Sequence, residues 1–250
     1  MFYCCGITDK GIMPHNEDAM LIGKTVCEDG IFEKELYAPF MAAVSDGVSG
    51  ENSGEIASRM CLEKLSGIES YRKQDMKLSL YRIHRELAAY SETYPQYRNM
   101  QATLCGLAID RHGQMLAFNC GDSRLYRYRE HHIKQITRDQ TFVQLLYKEG
   151  TITAEERRNH VHRNIILPVF GSLSADPQID VEWIHGSVLP GDIFILCTDG
   201  LSDYVSALDM QDILEMPKSL MKRTKLLANE ALRRGGRDNV TVVTMLYTDE

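Results

Sequence analysis

Ala42-Ala43-Val44-Ser45-Asp46-Gly47-Val48-Ser49-Gly50 is a short apolar run that delivers an acid into a Gly-rich turn. The pattern returns at Ile193-Phe194-Ile195-Leu196-Cys197-Thr198-Asp199-Gly200, where a β-prone run again ends in Asp-Gly. Short apolar runs bounded by turn signals read as buried strands. Each strand is then expected to hold one carboxylate at the rim of a sheet. Gly after the acid permits φ > 0 and close backbone approach, so its carbonyl can also face a ligand. A carboxylate beside a backbone carbonyl is hard-oxygen chemistry, suited to Mg²⁺ or Mn²⁺ rather than zinc. A single Asp-Gly marks only a turn. Two at strand ends, with other acidic motifs in the chain, point to a site.

The bulk properties narrow the class. With 250 residues, 44% of them hydrophobic, the chain can build one large globular domain or two small ones. No linker or composition break divides it, so 1–250 reads as a single domain. A net charge of −7 and a pI near 5.7 argue against a general nucleic-acid binder. The seven Cys include no CxxC pair and lie mostly in apolar runs, as Cys105, Cys120 and Cys197 do. That usage fits packed, reduced thiols in the cytoplasm. Charges and Pro14 interrupt any leader early, and no apolar run approaches the roughly 20 residues of a membrane span. A cytoplasmic protein is expected.

Taken in order, 1–7 reads as a strand and Thr8-Asp9-Lys10-Gly11 as a turn. Pro14-His15-Asn16-Glu17-Asp18 then enters a second apolar run at 19–22. Neighbours on a strand face opposite ways, so only one of Glu17 and Asp18 would approach a metal directly. Residues 53–65 have helical spacing through Ile56, Met60, Leu62 and Leu65, with Ser53 as the N-cap. A second helix is expected over 75–90, with Leu78, Ile83, Leu87 and Tyr90 as its buried stripe. Two helices between strand groups form a layer against a sheet. Four closely spaced strands at 103–110, 115–119, 125–128 and 132–136 read as an antiparallel meander. His131 and His132 sit at a hairpin as solvated residues. Thr141 caps a helix to about Lys148, and Thr153 opens another with Glu156 in capping-box spacing. The basic run Arg157-Arg158-Asn159-His160-Val161-His162-Arg163-Asn164 is a solvated loop that would also attract an anionic substrate. Helices at 208–215 and 220–233 precede a last strand at 240–247, with Asp238 a third acid at a strand boundary.

If Asp46, Asp199 and Asp238 converge with Glu17 or Asp18 nearby, they repel one another. Two carboxylates about 4 Å apart do so by about 4 kcal/mol at an effective dielectric of 20. Two divalent ions bridged by one Asp would relieve this, and water acidified between them would attack in line at phosphorus. No nucleophilic Ser, Cys or His is then required. Consistently, no GxSxG and no P-loop sequence occurs. Spacing alone does not show that the acids meet.

The ordered motifs Asn16-Glu17-Asp18, Ser45-Asp46-Gly47, Gly121-Asp122-Ser123-Arg124-Leu125-Tyr126, Thr198-Asp199-Gly200-Leu201-Ser202-Asp203 and Gly236-Arg237-Asp238-Asn239-Val240-Thr241 carry a resemblance. The chain resembles the metal-dependent (PPM-type, type 2C) protein serine/threonine phosphatases in their compact bacterial form, nearly end to end. The resemblance implies an α+β fold, a four-layer αββα sandwich of two antiparallel β-sheets flanked by helix pairs. It implies two Mn²⁺ or Mg²⁺ ions bridged by Asp46, with the Gly47 carbonyl on one and Asp199 and Asp238 on the other. Glu17 and Asp18 would act close to the metals, and Asp18, Asp46, Asp199 and Asp238 would carry catalysis. Asp122 with Asp199 would hold a third, weaker ion that some family members need. A flap at about 147–164 would bring the basic run to phosphorylated protein substrates, which a cognate serine/threonine kinase would supply.

The sequence departs from the family in three places. An Arg that grips the substrate phosphate is missing before Asn16, where Gly11-Ile12-Met13-Pro14-His15 stands one residue short. Losing such a contact costs about 1.5–3 kcal/mol. His15 or a flap Arg such as Arg163 would partly replace it. Asp46-Gly47-Val48-Ser49-Gly50 changes the family's Asp-Gly-x-Gly-Gly and needs only a tolerable φ at Ser49. Gln101-Ala102-Thr103 and Asp139-Gln140-Thr141 replace scaffold motifs. The missing Arg leaves a second reading open, a weakly active or inactive phosphoprotein-binding regulatory module. A metal nuclease or small-molecule phosphohydrolase would use the same chemistry.

Overall fold

Strands buried on both faces explain why so much of the sequence reads as unbroken apolar runs. The computed structural model describes residues 1–48 and 53–249, with the Arg158 side chain left out. The expectations for Ser49, Gly50 and the Arg158 side chain therefore lie outside the described residues. In chain order the strands and helices are β1 (Phe2–Asp9), β2 (Asp18–Ile22), β3 (Thr25–Cys27), β4 (Gly30–Leu36), β5 (Phe40–Val48), α1 (Gly54–Ser66) and α2 (Lys73–Thr93). Then come β6 (Gln101–Ala102), β7 (Leu104–Ile109), β8 (Met115–Cys120), β9 (Arg124–Arg129), β10 (His132–Gln135), α3 (Phe142–Lys148) and α4 (Ala154–Asn159). The chain finishes with β11 (Asp180–Ile184), β12 (Ile193–Cys197), α5 (Asp199–Ser202), α6 (Ala207–Glu215), α7 (Leu220–Arg233) and β13 (Val240–Tyr247).

One sheet runs β10-β9-β12-β13-β1-β4 and the other β11-β8-β7-β5-β2-β3, with β6 paired to β5. All pairings are antiparallel. Strand side chains alternate between faces, and here each face has its own core. Met41 and Ala43 of β5 pack with Leu62, Leu65 and Leu87 of α1 and α2. Their neighbours Ala42 and Val44 pack between the sheets with Phe194, Val243 and Met245. Cys5, Ile195 and Val242 face α6 and α7, against Met210, Leu214 and Leu227. The layers are therefore helices, sheet, sheet, helices, the αββα sandwich expected.

Four local expectations are corrected. The N-cap position of α1 is Ser53, but its hydroxyl donates to Gln96 O at 3.4 Å and does not cap the helix. On that helix Ala57 and Cys61 occupy the fully buried line, and Ile56 and Met60 are only half-buried. On α2 the stripe is Met76, Leu80, Ile83, His84 and Leu87; Leu78 is 64% exposed, because it lies about 140° round the helix from Ile83. The proposed meander is two hairpins in different sheets. β7 and β8 pair in one, β9 and β10 in the other, and the chain changes sheets across Gly121-Asp122-Ser123. The β9–β10 turn places Glu130 and His131 at positive φ, the primed turn that matches strand twist. His131 is exposed there yet lies 3.1 Å from Glu215.

Candidate metal centre

The site forms at the end of the sandwich where the two sheets meet, and strand register brings its first two acids together. Asp18 opens β2 directly opposite Asp46 of β5, so their side chains emerge side by side on one face. Like charges in that position are destabilising unless something offsets them. Asp18 is buried, and its Oδ2 accepts from the Thr198 hydroxyl at 2.8 Å. Thr198 follows β12 in the other sheet and accepts in turn from the Thr241 N–H. Asp18 thus ties the two sheets together at the site. Glu17 stands just outside β2, and its carbonyl accepts from the Gly47 N–H at 3.1 Å.

Asp46 lies within β5 and not at its end, since the strand continues to Val48. Asp199 stands just beyond the end of β12, where it begins α5. Neither Gly47 nor Gly200 is among the glycines with positive φ. Their value is close approach. A Cβ on Gly47 would fall 2.2 Å from Gly54 O, and one on Gly200 1.8 Å from Asn239 O. Both clashes are with backbone, which cannot step aside as a side-chain tip can. Gly200→Ala is expected to destabilise the protein by about 3 kcal/mol or more, read as a lower urea midpoint with unchanged m. An unshifted midpoint would contradict this packing.

Electrostatics shows that the acids share a region. Burial raises the Asp46 carboxyl well above the usual carboxylate range, and the charges of Asp18, Asp199, Asp122 and Asp238 push it the same way. Burial likewise raises Asp199, helped by Asp122, Asp238, Asp18 and Asp203. Asp18 is pushed up to about 7, chiefly by burial and against the pull of the Thr241 and Thr198 hydroxyls. Asp122 rises to about 6, again mainly by burial, with Asp139 next. Glu17 is raised by burial, then by Glu55 and Asp238, while His15 opposes the shift.

A cation-binding role fits these residues. Asp199 Oδ1 is buried with no hydrogen-bond partner. The bare Cα of Gly54 faces the Glu17 carboxylate and the Gly47 carbonyl, with a Cβ there falling 2.4 Å from Glu17 Oε2 and 2.8 Å from Gly47 O. All of these donors are oxygen, as Mg²⁺ and Mn²⁺ prefer. Among the described residues no three His, Cys, Asp or Glu side chains already form a closed shell, so the carboxylates would draw in around a cation.

A cleft of about 600 Å³ opens beside Asp122 and Asp199 and is lined also by Arg157, Arg163, Asn164 and Asp203. Arg163 therefore stands over the acids, whereas exposed His15 is not among the cleft residues. His15 lies toward Glu17 instead. Where the phosphate-gripping Arg is missing, Ile12 and Met13 are exposed. Arg157 of the basic run covers the Tyr147 ring at 4.8 Å, packing α4 against α3. The Thr153–Glu156 capping box forms as expected.

Several residues that sequence reading quoted without a task at the site hold it in shape. Thr103 N–H donates to Asp46 O at 2.8 Å, the Thr103 hydroxyl accepts from the Asp46 N–H, and that hydroxyl also meets Ser123 Oγ at 2.8 Å. Asp46 and the sheet crossover at Asp122 are thus joined through one threonine. Asn239 accepts from the Glu17 N–H and donates to Lys10 O and His15 O, pinning the 10–17 loop. Arg124 holds Asp139 by two hydrogen bonds of 2.7 and 2.9 Å. A signal did exist: Thr198 and Thr241 are polar residues in strand-like runs beside acids, and buried polar groups need partners.

A comparison with protein families matches residues 19–234 to protein phosphatase 2C. The chain belongs to the protein phosphatase 2C family. A serine/threonine phosphatase stp of Listeria monocytogenes serotype 4b is 30% identical over 94% of this phosphatase 2C chain and 92% of its own. The serine/threonine phosphatase PstP/Ppp of Mycobacterium tuberculosis superposes with a TM-score of 0.82 at 29% identity, covering 99% of this chain and 100% of that one. A catalytic domain of PstP in complex with two manganese ions aligns over 100% of both chains, with a TM-score of 0.78 and 28% identity.

Proposed function

We propose that this phosphatase 2C chain hydrolyses phosphoserine and phosphothreonine esters of proteins, using two Mn²⁺ or Mg²⁺ ions. The observation that carries the reading is the gathering of Asp18, Asp46, Asp122 and Asp199 close enough to raise one another's carboxyls, with Asp122 and Asp199 lining a cleft and a buried Asp199 oxygen lacking any partner. The ions, when bound, offset this negative charge, activate water and polarise the phosphoryl oxygens. Asp46, Asp199 and Asp238, with the Gly47 carbonyl, would hold the pair. Glu17 would act from the side of Gly47, and Asp122 with Asp199 would serve a third, weaker cation. Asp18, fixed by Thr198, would keep Asp46 at its register position and accept hydrogen bonds from ordered water.

The substrate phosphate needs a cation from the protein, and the sequence offers none at Met13. Arg163, on the 147–164 segment that we read as the flap, would supply it, with His15 a more distant donor. The substrates imply a serine/threonine kinase acting on the same proteins. A cytoplasmic setting agrees with thiols that are all free and mostly buried. Among the described residues no helix is long and apolar enough to cross a membrane.

The test is hydrolysis of a phosphothreonine peptide with Mn²⁺, comparing the parent with Arg163→Ala. Arg163→Ala is expected to raise KM about tenfold with a smaller change in kcat, since the contact forms in ground and transition states alike. Absence of turnover in the folded, Mn²⁺-loaded parent would defeat the enzymatic reading. An unchanged KM would remove Arg163 from the site.

A further inference from the structure

A second cavity, of about 840 Å³, shares the 137–144 segment as a wall with the catalytic cleft but contains none of its proposed metal ligands. Its floor is the surface of β8 and β11, around Asn119, Trp183 and Ile184, and its opposite side is α3, with Leu145 and Lys148. That volume falls within the roughly 300–1,000 Å³ of small-molecule sites.

The charges around it are not balanced. Two of the three acids in the lining are paired with cations, and the third, Asp180, is hydrogen-bonded by neutral amides and keeps its single charge. Asp139 is held by Arg124 and Gln135, Asp180 by Gln140 and Gln178, and Glu182 by Lys73 at 2.6 Å. Among the described residues, the side chains of Arg138 and Lys148 make no ion pair or hydrogen bond. Two cations are therefore uncommitted at the cavity, beside apolar Leu145, Ile184 and the face of Trp183. A third feature is a buried acceptor without a donor. Asn119 is 3% exposed, and its Nδ2 donates to Gly121 O at 3.2 Å and Arg138 O at 3.1 Å, which fixes the amide's orientation. Its Oδ1 has no partner. A buried polar atom in that state calls for an occupant able to donate.

We propose that this cavity is a second ligand site, for a small molecule that carries an acidic group on a planar apolar body and a hydrogen-bond donor. The acid answers Arg138 and Lys148, the ring lies against Trp183 and Leu145, and the donor reaches Asn119. A cationic ligand would meet two like charges, and a purely apolar one would leave both cations and Asn119 unanswered. The site does not depend on the phosphatase reading, and binding can be measured without turnover.

Trp183 is the chain's one tryptophan, so energy transfer from it reports probe bound near it, and the variants below decide whether that probe is in this cavity. The probe is 1-anilinonaphthalene-8-sulfonate, which combines a sulfonate, a naphthalene ring and an N–H. Titrating it into the full chain should give saturable transfer from Trp183 at one equivalent. Lys148→Glu should weaken binding about tenfold or more and Lys148→Arg should keep it, since a charge-assisted contact is lost in the first and retained in the second. Lys225→Glu, the same charge change on α7, should leave binding unaltered. Mn²⁺ with inorganic phosphate should not displace the probe. Non-saturable transfer, or equal loss in Lys148→Glu and Lys225→Glu, would mean general adhesion and overturn the proposal. Indifference to Lys148→Glu would do the same, and so would displacement by Mn²⁺ and phosphate, which would assign the probe to the catalytic cleft.

Discussion

Asp46→Asn and Asp199→Asn each remove Mn²⁺-dependent hydrolysis of a phosphothreonine peptide, by on the order of a thousandfold or about 4 kcal/mol of transition-state stabilisation, while the metal-free protein becomes more stable. The two effects have one origin. Asn keeps the shape of Asp but loses the negative charge that a divalent ion requires. Without an ion that same charge is a burden, because Asp46 stands opposite Asp18 and near Asp199 in a half-buried setting. Removing it relieves repulsion in the folded state and leaves the unfolded chain almost unaffected. Melting in EDTA beside a Mn²⁺ titration of activity separates the two. A lower Tm in EDTA for Asp46→Asn would mean that the carboxylate is structural. Full activity at saturating Mn²⁺ would remove it from the metal set.

The second large effect is the pH dependence of the metal-free protein. Asp18 is raised to about 7, Asp122 to about 6, and Asp46 and Asp199 upward as well. In the unfolded chain an Asp titrates near 3.9. Between about pH 4 and 7 the folded state therefore binds more protons than the unfolded state, and stability falls as pH rises. This contribution is fully present below the unfolded value and is lost as pH climbs through the folded values. Asp209 and Glu230, both lowered chiefly by hydrogen bonds to arginine, act in the opposite sense but only in the acid range below that window. In EDTA the Tm should drop by several degrees from pH 5 to pH 8. Saturating Mn²⁺ should abolish or reverse the drop, because ligand binding to the folded state adds stability where the carboxylates are ionised. A Tm in EDTA that rises over this range would show that the acids do not form a shared cluster.

What could be read in advance follows from which forces are local. Leu220–Arg233 and Val240–Tyr247 match their expected limits residue for residue, since Ser219 caps the one and apolar residues fill the other. Periodicity along one element is written in that element. The choice of sheet is not. Gly121-Asp122-Ser123 looks like any hairpin turn, and only the packing of Leu125 and Tyr126 against β12 sends β9 to the opposite sheet. Similarly, Asp46-Gly47 looked like a strand end because Gly follows the acid. The pairing of Gly47 with Ala102 of β6 keeps the strand going. The acids themselves were legible as motifs; their meeting depended on the register of β2 with β5, to which residues 18 and 46 contribute from separate strands. Asn239 was quoted in a motif without a task, since its three partners lie more than 200 positions away in the chain.

The position of β13 bears on how the molecule is made. It lies between β12 and β1, and Phe2 pairs with Tyr247. Before β13 has been synthesised, its sheet exists only as two separate ribbons, β10-β9-β12 and β1-β4, each with an open edge. Open strand edges invite pairing with other chains. The same late segment brings Asp238 and Asn239, so the 10–17 loop lacks its three contacts to Asn239 and the acid cluster lacks a member until then. A nascent chain halted before β13 would be exposed to aggregation and would have no assembled site, so activity would wait on the last strand.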